Sequence, residues 1–211
     1  MESGKHKIIV VGIGPGAKEY VVPAAAAAIE SAAVLVGGSR ALREFAREGQ
    51  KTFAIKADIP AVMDFIRENL ADSDVVVMVS GDPGYYSLLS ALRRNFSIEQ
   101  IKVIPGLSSM QTAFAKVALP WQDADLLSFH GRVPDDDKLI YAPGRIIGML
   151  TDSKFDSAHI AAYLIERGWP KEALAHICSK LSYPEEKIVS IPLGQAVSKC
   201  NAANCIMIVE G

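Results

Sequence analysis

Cysteine is scarce in this sequence. There are three residues, Cys178, Cys200 and Cys205, with no CxxC pair and no histidine at zinc-finger spacing. So sparse and odd a set excludes a disulfide scaffold, fits a reducing compartment and gives no reason to expect a metal site. Long apolar runs are lacking too. The N-terminal run, residues 8–11, is far too short for a signal peptide or a membrane span. Nor is there charge of one sign, since 22 Lys and Arg stand against 24 Asp and Glu, a formal net charge of -2. No global field therefore favours nucleic acid, and a polyanionic ligand needs a local cluster of Arg, Lys and His. The expectation is a cytoplasmic protein with neither nucleic acid nor membrane among its partners.

What is present is apolar side chain. Half of the 211 residues are hydrophobic and mean hydropathy is +0.20, enough to pack one large domain or two small ones. A disordered or fibrous chain is excluded. Over the first half, short β-branched runs at 7–11, 34–36, 52–55, 75–79 and 101–104 alternate with helical stretches at 23–31, 40–48, 59–70, 85–93 and 109–117. Residues 75–79 are apolar throughout, as in a strand covered on both faces of a parallel sheet. Pro23 suits a first helical turn, and the alanines after it favour continuation. Strand–helix alternation predicts a mostly parallel α/β sheet with right-handed crossovers.

The second half reads differently. Strands are expected at 125–129, 146–150, 174–179, 187–191 and 205–209, with a helix over 157–167 ending at Gly168. Two of these strands have little more than Tyr183-Pro184-Glu185-Glu186 between them, which suggests a hairpin-like, partly antiparallel arrangement, so this sheet should be mixed. The pattern predicts an N-terminal α/β domain over 1–115 and a C-terminal one over 122–211.

Three loops follow strands of the first half. In Val11-Gly12-Ile13-Gly14-Pro15-Gly16 the glycines permit a sharp turn and close approach to a ligand. A plain tight turn fits as well. A dinucleotide fingerprint fits poorly, because Pro15 and the gap to Pro23 delay the helix, and Gly37-Gly38 stand where the ribose-binding acid belongs. Ser80-Gly81-Asp82-Pro83-Gly84-Tyr85-Tyr86-Ser87 follows the most apolar strand. Asp82 there either caps the next helix or shapes a turn that offers backbone groups to a small molecule. In Pro105-Gly106-Leu107-Ser108-Ser109 either serine also reads as an N-cap. Three such loops at three parallel strand ends should gather at one edge of the sheet.

In this order and spacing, Gly14-Pro15-Gly16, Ser80-Gly81-Asp82-Pro83 and Pro105-Gly106 resemble the tetrapyrrole (class III) methylases over essentially the whole chain. The stretches Pro105 to Gln111, Leu119-Pro120-Trp121-Gln122-Asp123-Ala124 and Ser128-Phe129-His130-Gly131-Arg132 are more specific. With Val36-Gly37-Gly38-Ser39-Arg40 and Leu150-Thr151-Asp152, they are similar to the members that methylate C-5 of cobalt-precorrin-7, or to the N-terminal half of the aerobic C-5,15 enzymes. The resemblance implies a two-domain fold with S-adenosylmethionine in the cleft, S-adenosylhomocysteine as product, a tetrapyrrole substrate and a homodimer. By position, Pro15, Ser80, Gly81, Asp82, Tyr85, Ser108 and Ser109 would line the cofactor, completed by Thr151 (or Leu150) and Leu181. Arg132 and His130, with Arg40, are candidates to hold the substrate carboxylates, although His130 also reads as a solvated loop residue and Arg40 as a surface one. No nucleophile–base set stands out, which fits catalysis by positioning. Since the sequence stops after its last strand, methylation and decarboxylation at C-15 are expected of a separate protein. Methylation of another ring position, an NAD(P)-dependent oxidoreductase and a ligand-free scaffold are the competing readings.

Overall fold

A computed structural model describes residues 6–199, 202 and 204–211, so Cys200 lies outside the described residues. The chain divides into two compact units, 1–108 and 109–211. The division falls ahead of the stretch 115–122 where a boundary was expected.

In the first unit the strands are β1 (Ile8–Gly12), β2 (Val34–Gly38), β3 (Lys51–Ile55), β4 (Val75–Val79) and β5 (Ile101–Ile104). All pair in parallel, in the order β3-β2-β4-β1-β5. The helices are α1 (Pro23–Ser31), α2 (Ser39–Phe45), α3 (Ile59–Asn69) and α4 (Leu89–Asn95). From β1 to β3 the chain winds toward one edge, and from β3 through β4 to β5 it winds back. Right-handed crossovers must then place α1 and α2 on one face and α3 and α4 on the other. The core has that arrangement. Val11, Leu35, Val76 and Met78 pack with Ala25, Ile29 and Ala41. Ile8, Val10, Val36, Val75 and Val77 pack with Val62, Met63, Ile66 and Leu92. Alternate residues of β4 thus face opposite layers, which is why all five are buried.

The second unit holds α5 (Ser109–Lys116), β6 (Asp125–Ser128), β7 (Ile146–Leu150), α6 (Ser157–Ile165), β8 (Leu174–Ser179), β9 (Lys187–Pro192), α7 (Leu193–Lys199) and β10 (Ile206–Glu210). Its sheet order is β6-β7-β10-β8-β9. Only β6 and β7 are parallel, so the sheet is mixed as expected. Ile147, Met149, Ala175, Ile177, Met207 and Val209 meet Ile160, Leu164, Leu193 and Ala196 on one face. The other face receives α5. A Cβ on Gly148 would stand 2.7 Å from Met110 Sδ and 2.8 Å from Phe114 Cε2, so the glycine admits that helix.

Three helices depart from the sequence reading, the first being the one expected over 40–48, which ends at Phe45 because Ala46 is extended. The helix expected from residue 85 begins at Leu89, because Tyr86 adopts φ 48 and the chain cannot yet coil. Asp82 consequently does not cap α4. The short α7 was not foreseen, since it follows Pro192 directly and its seven residues carry too little periodicity.

Candidate functional site

The chain leaves β1 for β2 on one side and leaves β4 for β5 on the other. Ligands of open parallel sheets bind outside the strand ends at such a reversal. Here the three glycine-bearing turns meet. Ile13 N donates to Val79 O at 3.0 Å and Gly81 N to Gly14 O at 2.8 Å, joining the first two turns in an isolated bridge. Asp82 joins the second to the third. Its Oδ1 accepts from Gly84 N at 2.7 Å and its Oδ2 from Gly106 N at 3.0 Å. A Cβ on Gly12 would lie 2.5 Å from Gly81 O and 2.7 Å from Gly106 Cα, and one on Gly106 would lie 2.5 Å from Gly81 O. Backbone therefore packs directly on backbone, an approach closed to any other residue type. Gly14 and Gly81 also sit at φ 75 and 67, in the left-handed region.

Each residue expected along this part of the chain can now be placed. Pro15 follows Gly14 and is half-buried, Ser80 is exposed, and Gly81 and Asp82 form the junction. Ser108, buried, ends the third turn, and Ser109 opens α5. Tyr85 lies in the β4 turn, its N–H donating to Asp82 O at 3.1 Å. Arg40 stands in the first turn of α2 beside Glu44, at 3.8 Å, at the same edge but beyond β4. No helix opens on Gly14–Gly16. A short 3₁₀ turn at Lys18–Tyr20 intervenes before Pro23, so the phosphate-binding geometry of a dinucleotide fold is not built.

The second unit gathers its candidates at one edge of its own sheet. Ser128, Leu150, Ile206 and Cys178 lie in one row across four strands. The segments after β6, β7 and β8 and before β10 therefore emerge together. Thr151 is buried, with its hydroxyl between Cys205 N at 2.9 Å and Cys205 Sγ at 3.4 Å, so that hydroxyl ties β7 to β10. Asp152 accepts from Gly131 N at 3.0 Å and Phe155 N at 2.7 Å, and these bonds hold its carboxyl below the usual range. The loop carrying His130 and Arg132, both exposed, is thereby fixed at its start. At its far end Arg167 donates to Asp136 at 2.8 Å while lying over the Tyr163 ring. Leu181 is buried between two left-handed residues, Lys180 at φ 50 and Ser182 at φ 68. Ser182 N donates to Glu186 at 2.7 Å, and Lys116 of α5 meets the same carboxylate at 2.6 Å, which lowers its pKa. Separately, Pro120, Trp121, Gln122, Ala124 and Leu126 line a shallow concavity of about 590 Å³.

Residues 7–197 match the Tetrapyrrole (Corrin/Porphyrin) Methylases. The chain belongs to that family. Among individual methylases it is 34% identical, over 96% of its length and 98% of the relative's, to the cobalt-precorrin-7 C(5)-methyltransferase of Salmonella typhimurium. Two solved methylase structures share the fold. The methyltransferase CobJ superposes with a TM-score of 0.82 at 22% identity, covering 97% of this chain and 94% of CobJ. Uroporphyrin-III C-methyl transferase from Thermus thermophilus, complexed with S-adenyl homocysteine, superposes with a TM-score of 0.75 at 20% identity, covering 96% and 91%.

Sequence reasoning missed one polar constellation of this methylase. His176 is buried in β8, with Nδ1 2.7 Å from Ser190 Oγ and Nε2 2.8 Å from Glu210 Oε1. Only strand register brings them together, His176 opposite both Ser190 and Ile208, and Glu210 two residues on. The trio spans three strands of the sheet and stitches them. The role of Asp82 as a brace between turns was likewise invisible, since Gly106 lies 24 residues away.

Proposed function

We propose that this methylase transfers a methyl group from S-adenosylmethionine to C-5 of cobalt-precorrin-7 in cobalamin biosynthesis. The acceptor and ring position come from the Salmonella typhimurium relative, matched over nearly its whole length. The observation that carries the site is the junction of Gly12, Gly81 and Gly106 under the Asp82 brace. It presents backbone edges, and no helix N-terminus opens on the first turn as a dinucleotide pyrophosphate needs. This suits a nucleoside whose own charge is a sulfonium, and Tyr85 contributes a buried hydroxyl without a partner.

S-adenosylmethionine, when bound, supplies a methyl group on a good leaving group, so the protein needs no nucleophile of its own. The chain's residues have the task of orientation. The braced turns fix the donor side, and fixing reacting atoms at roughly 3–3.5 Å supplies much of the lowering of such a barrier. Arg132 and Arg40 are the cations for the substrate's carboxylates, with Arg giving bidentate geometry, and His130 is a further hydrogen-bonding group beside Arg132. Pro15, Ser80, Gly81, Asp82, Tyr85, Ser108 and Ser109 line the donor in this reading, with Thr151 and Leu181 from the second unit. Homodimer formation belongs to the same reading and is tested by sedimentation.

The direct test is a melting assay with S-adenosylhomocysteine against NADH. At 100 times its dissociation constant a ligand adds about 2.7 kcal/mol of stability. Stabilisation by the homocysteine compound alone is expected. Stabilisation by NADH alone would return the oxidoreductase reading.

A further inference from the structure

Among the described residues, Tyr85 Oη is the one buried side-chain nitrogen or oxygen that has no hydrogen-bond partner. The rest of the residue is held firmly. Its N–H donates to Asp82 O at 3.1 Å, and its ring meets that of Tyr86 edge-on with centroids 4.8 Å apart. The turn around it is fixed by Gly84 N on Asp82 Oδ1, by Ser87 Oγ on Pro83 O and by Leu89 N on Ser87 Oγ. The same turn holds Tyr86 at φ 48, a strained conformation for a bulky residue. Phenylalanine would fill this place without burying a polar atom. A hydroxyl kept here unpaired is a penalty that folding does not relieve.

We propose that the Tyr85 hydroxyl is a positioning donor for a carboxylate of the bound ligand. The inference rests on the reading of this edge as the methyl-transfer site. Burial raises the phenol above its ordinary pKa, so the group stays protonated and acts as a donor rather than a base. A charged acceptor makes the stronger bond and gives the unpaired donor its best partner. Two ligands of the proposed reaction carry carboxylates, the amino-acid end of the methyl donor and the side chains of the tetrapyrrole.

Tyr85→Phe separates these sources. The ligand-free variant should melt at or above the wild-type temperature, because the unpaired group is gone. If the methyl donor supplies the carboxylate, affinity for S-adenosylhomocysteine falls about tenfold, while methylthioadenosine, which lacks the amino-acid end, binds both proteins alike. If the tetrapyrrole supplies it, the substrate KM rises about tenfold and the homocysteine compound binds unchanged. Either pattern supports the proposal. It is overturned if both ligands bind the variant as they bind the wild type, or if the ligand-free variant melts lower, which would mean the hydroxyl had a partner within the chain. Failure of wild-type protein to bind S-adenosylhomocysteine would instead remove the methyl-transfer reading, and the proposal with it.

Discussion

The two sheets solve the same problem, gathering loops at one edge, by different means. In the first, five parallel strands deliver turns whose junction is almost all backbone, braced by the single carboxylate of Asp82. In the second, a mixed sheet delivers loops pinned by side chains: Thr151 on Cys205, Asp152 on Gly131 and Phe155, Glu186 on Ser182 and Lys116. Backbone packed on backbone has no rotamers with which to adjust. Side-chain pins do. The first edge should therefore tolerate almost no added volume, and the second should lose its features one bond at a time.

Glycine substitution tests that contrast most severely. Gly12→Ala places a methyl group 2.5 Å from the Gly81 carbonyl, and nothing there can rotate away. A loss of about 3 kcal/mol or more is expected, or a first unit that does not fold. Gly148→Ala in the second sheet makes nominally similar overlaps, at 2.7 and 2.8 Å, but with the ends of Met110 and Phe114. Met adapts, and about 1–2 kcal/mol is expected. Denaturant unfolding of the two variants measures the difference. Equal losses would break the comparison.

Next in size is the brace. Asp82→Ala leaves Gly106 N and Gly84 N without their carboxylate and should destabilise by about 1.5–3 kcal/mol, with weaker binding of S-adenosylhomocysteine. Asp82→Asn keeps one acceptor and should lose less. Calorimetric titration alongside unfolding shows whether affinity and stability fall together, as a shared brace requires.

The Asp152 pin shows itself through pH. Its carboxyl is held below the ordinary value of 3.8 by backbone donors, so the folded state favours the ionised form. That stabilisation is fully present above the ordinary value and is lost as pH falls through the lower folded value. Asp152→Asn should lower the neutral plateau of a melting-temperature profile and flatten this part of its acid limb, so that variant and wild type converge at low pH. The smallest effect is chemical. Burial, with Cys205 and Glu186 nearby, pushes the Cys178 thiol up to about 12. Peptide mapping after iodoacetamide at neutral pH should find Cys178 unmodified until the protein unfolds.

Much of the fold was legible because its signals are local. The limits of β4, β5, β7, β8 and α1 stand where residue pattern put them, and Gly168 at φ 90 ends the turn after α6 as its type foretold. The errors have local causes as well. Tyr86 at φ 48 delays α4 against its own helical residues, and α7 is too short to show a period. Of the candidate site, the three turns and their order were readable, because glycines after apolar strands mark close approach. The bond from Asp82 to Gly106, the engagement of the Thr151 hydroxyl and the His176 trio were not. Each depends on register or on contact between distant segments, which no single stretch of residues encodes.

The central claim is methyl transfer to one carbon of one tetrapyrrole. Incubation with S-adenosylmethionine carrying a carbon-13 methyl group and cobalt-precorrin-7, followed by NMR of the product, addresses it directly. A single labelled methyl at C-5 is the predicted result. No label on the tetrapyrrole, or label at another ring carbon, would contradict the account.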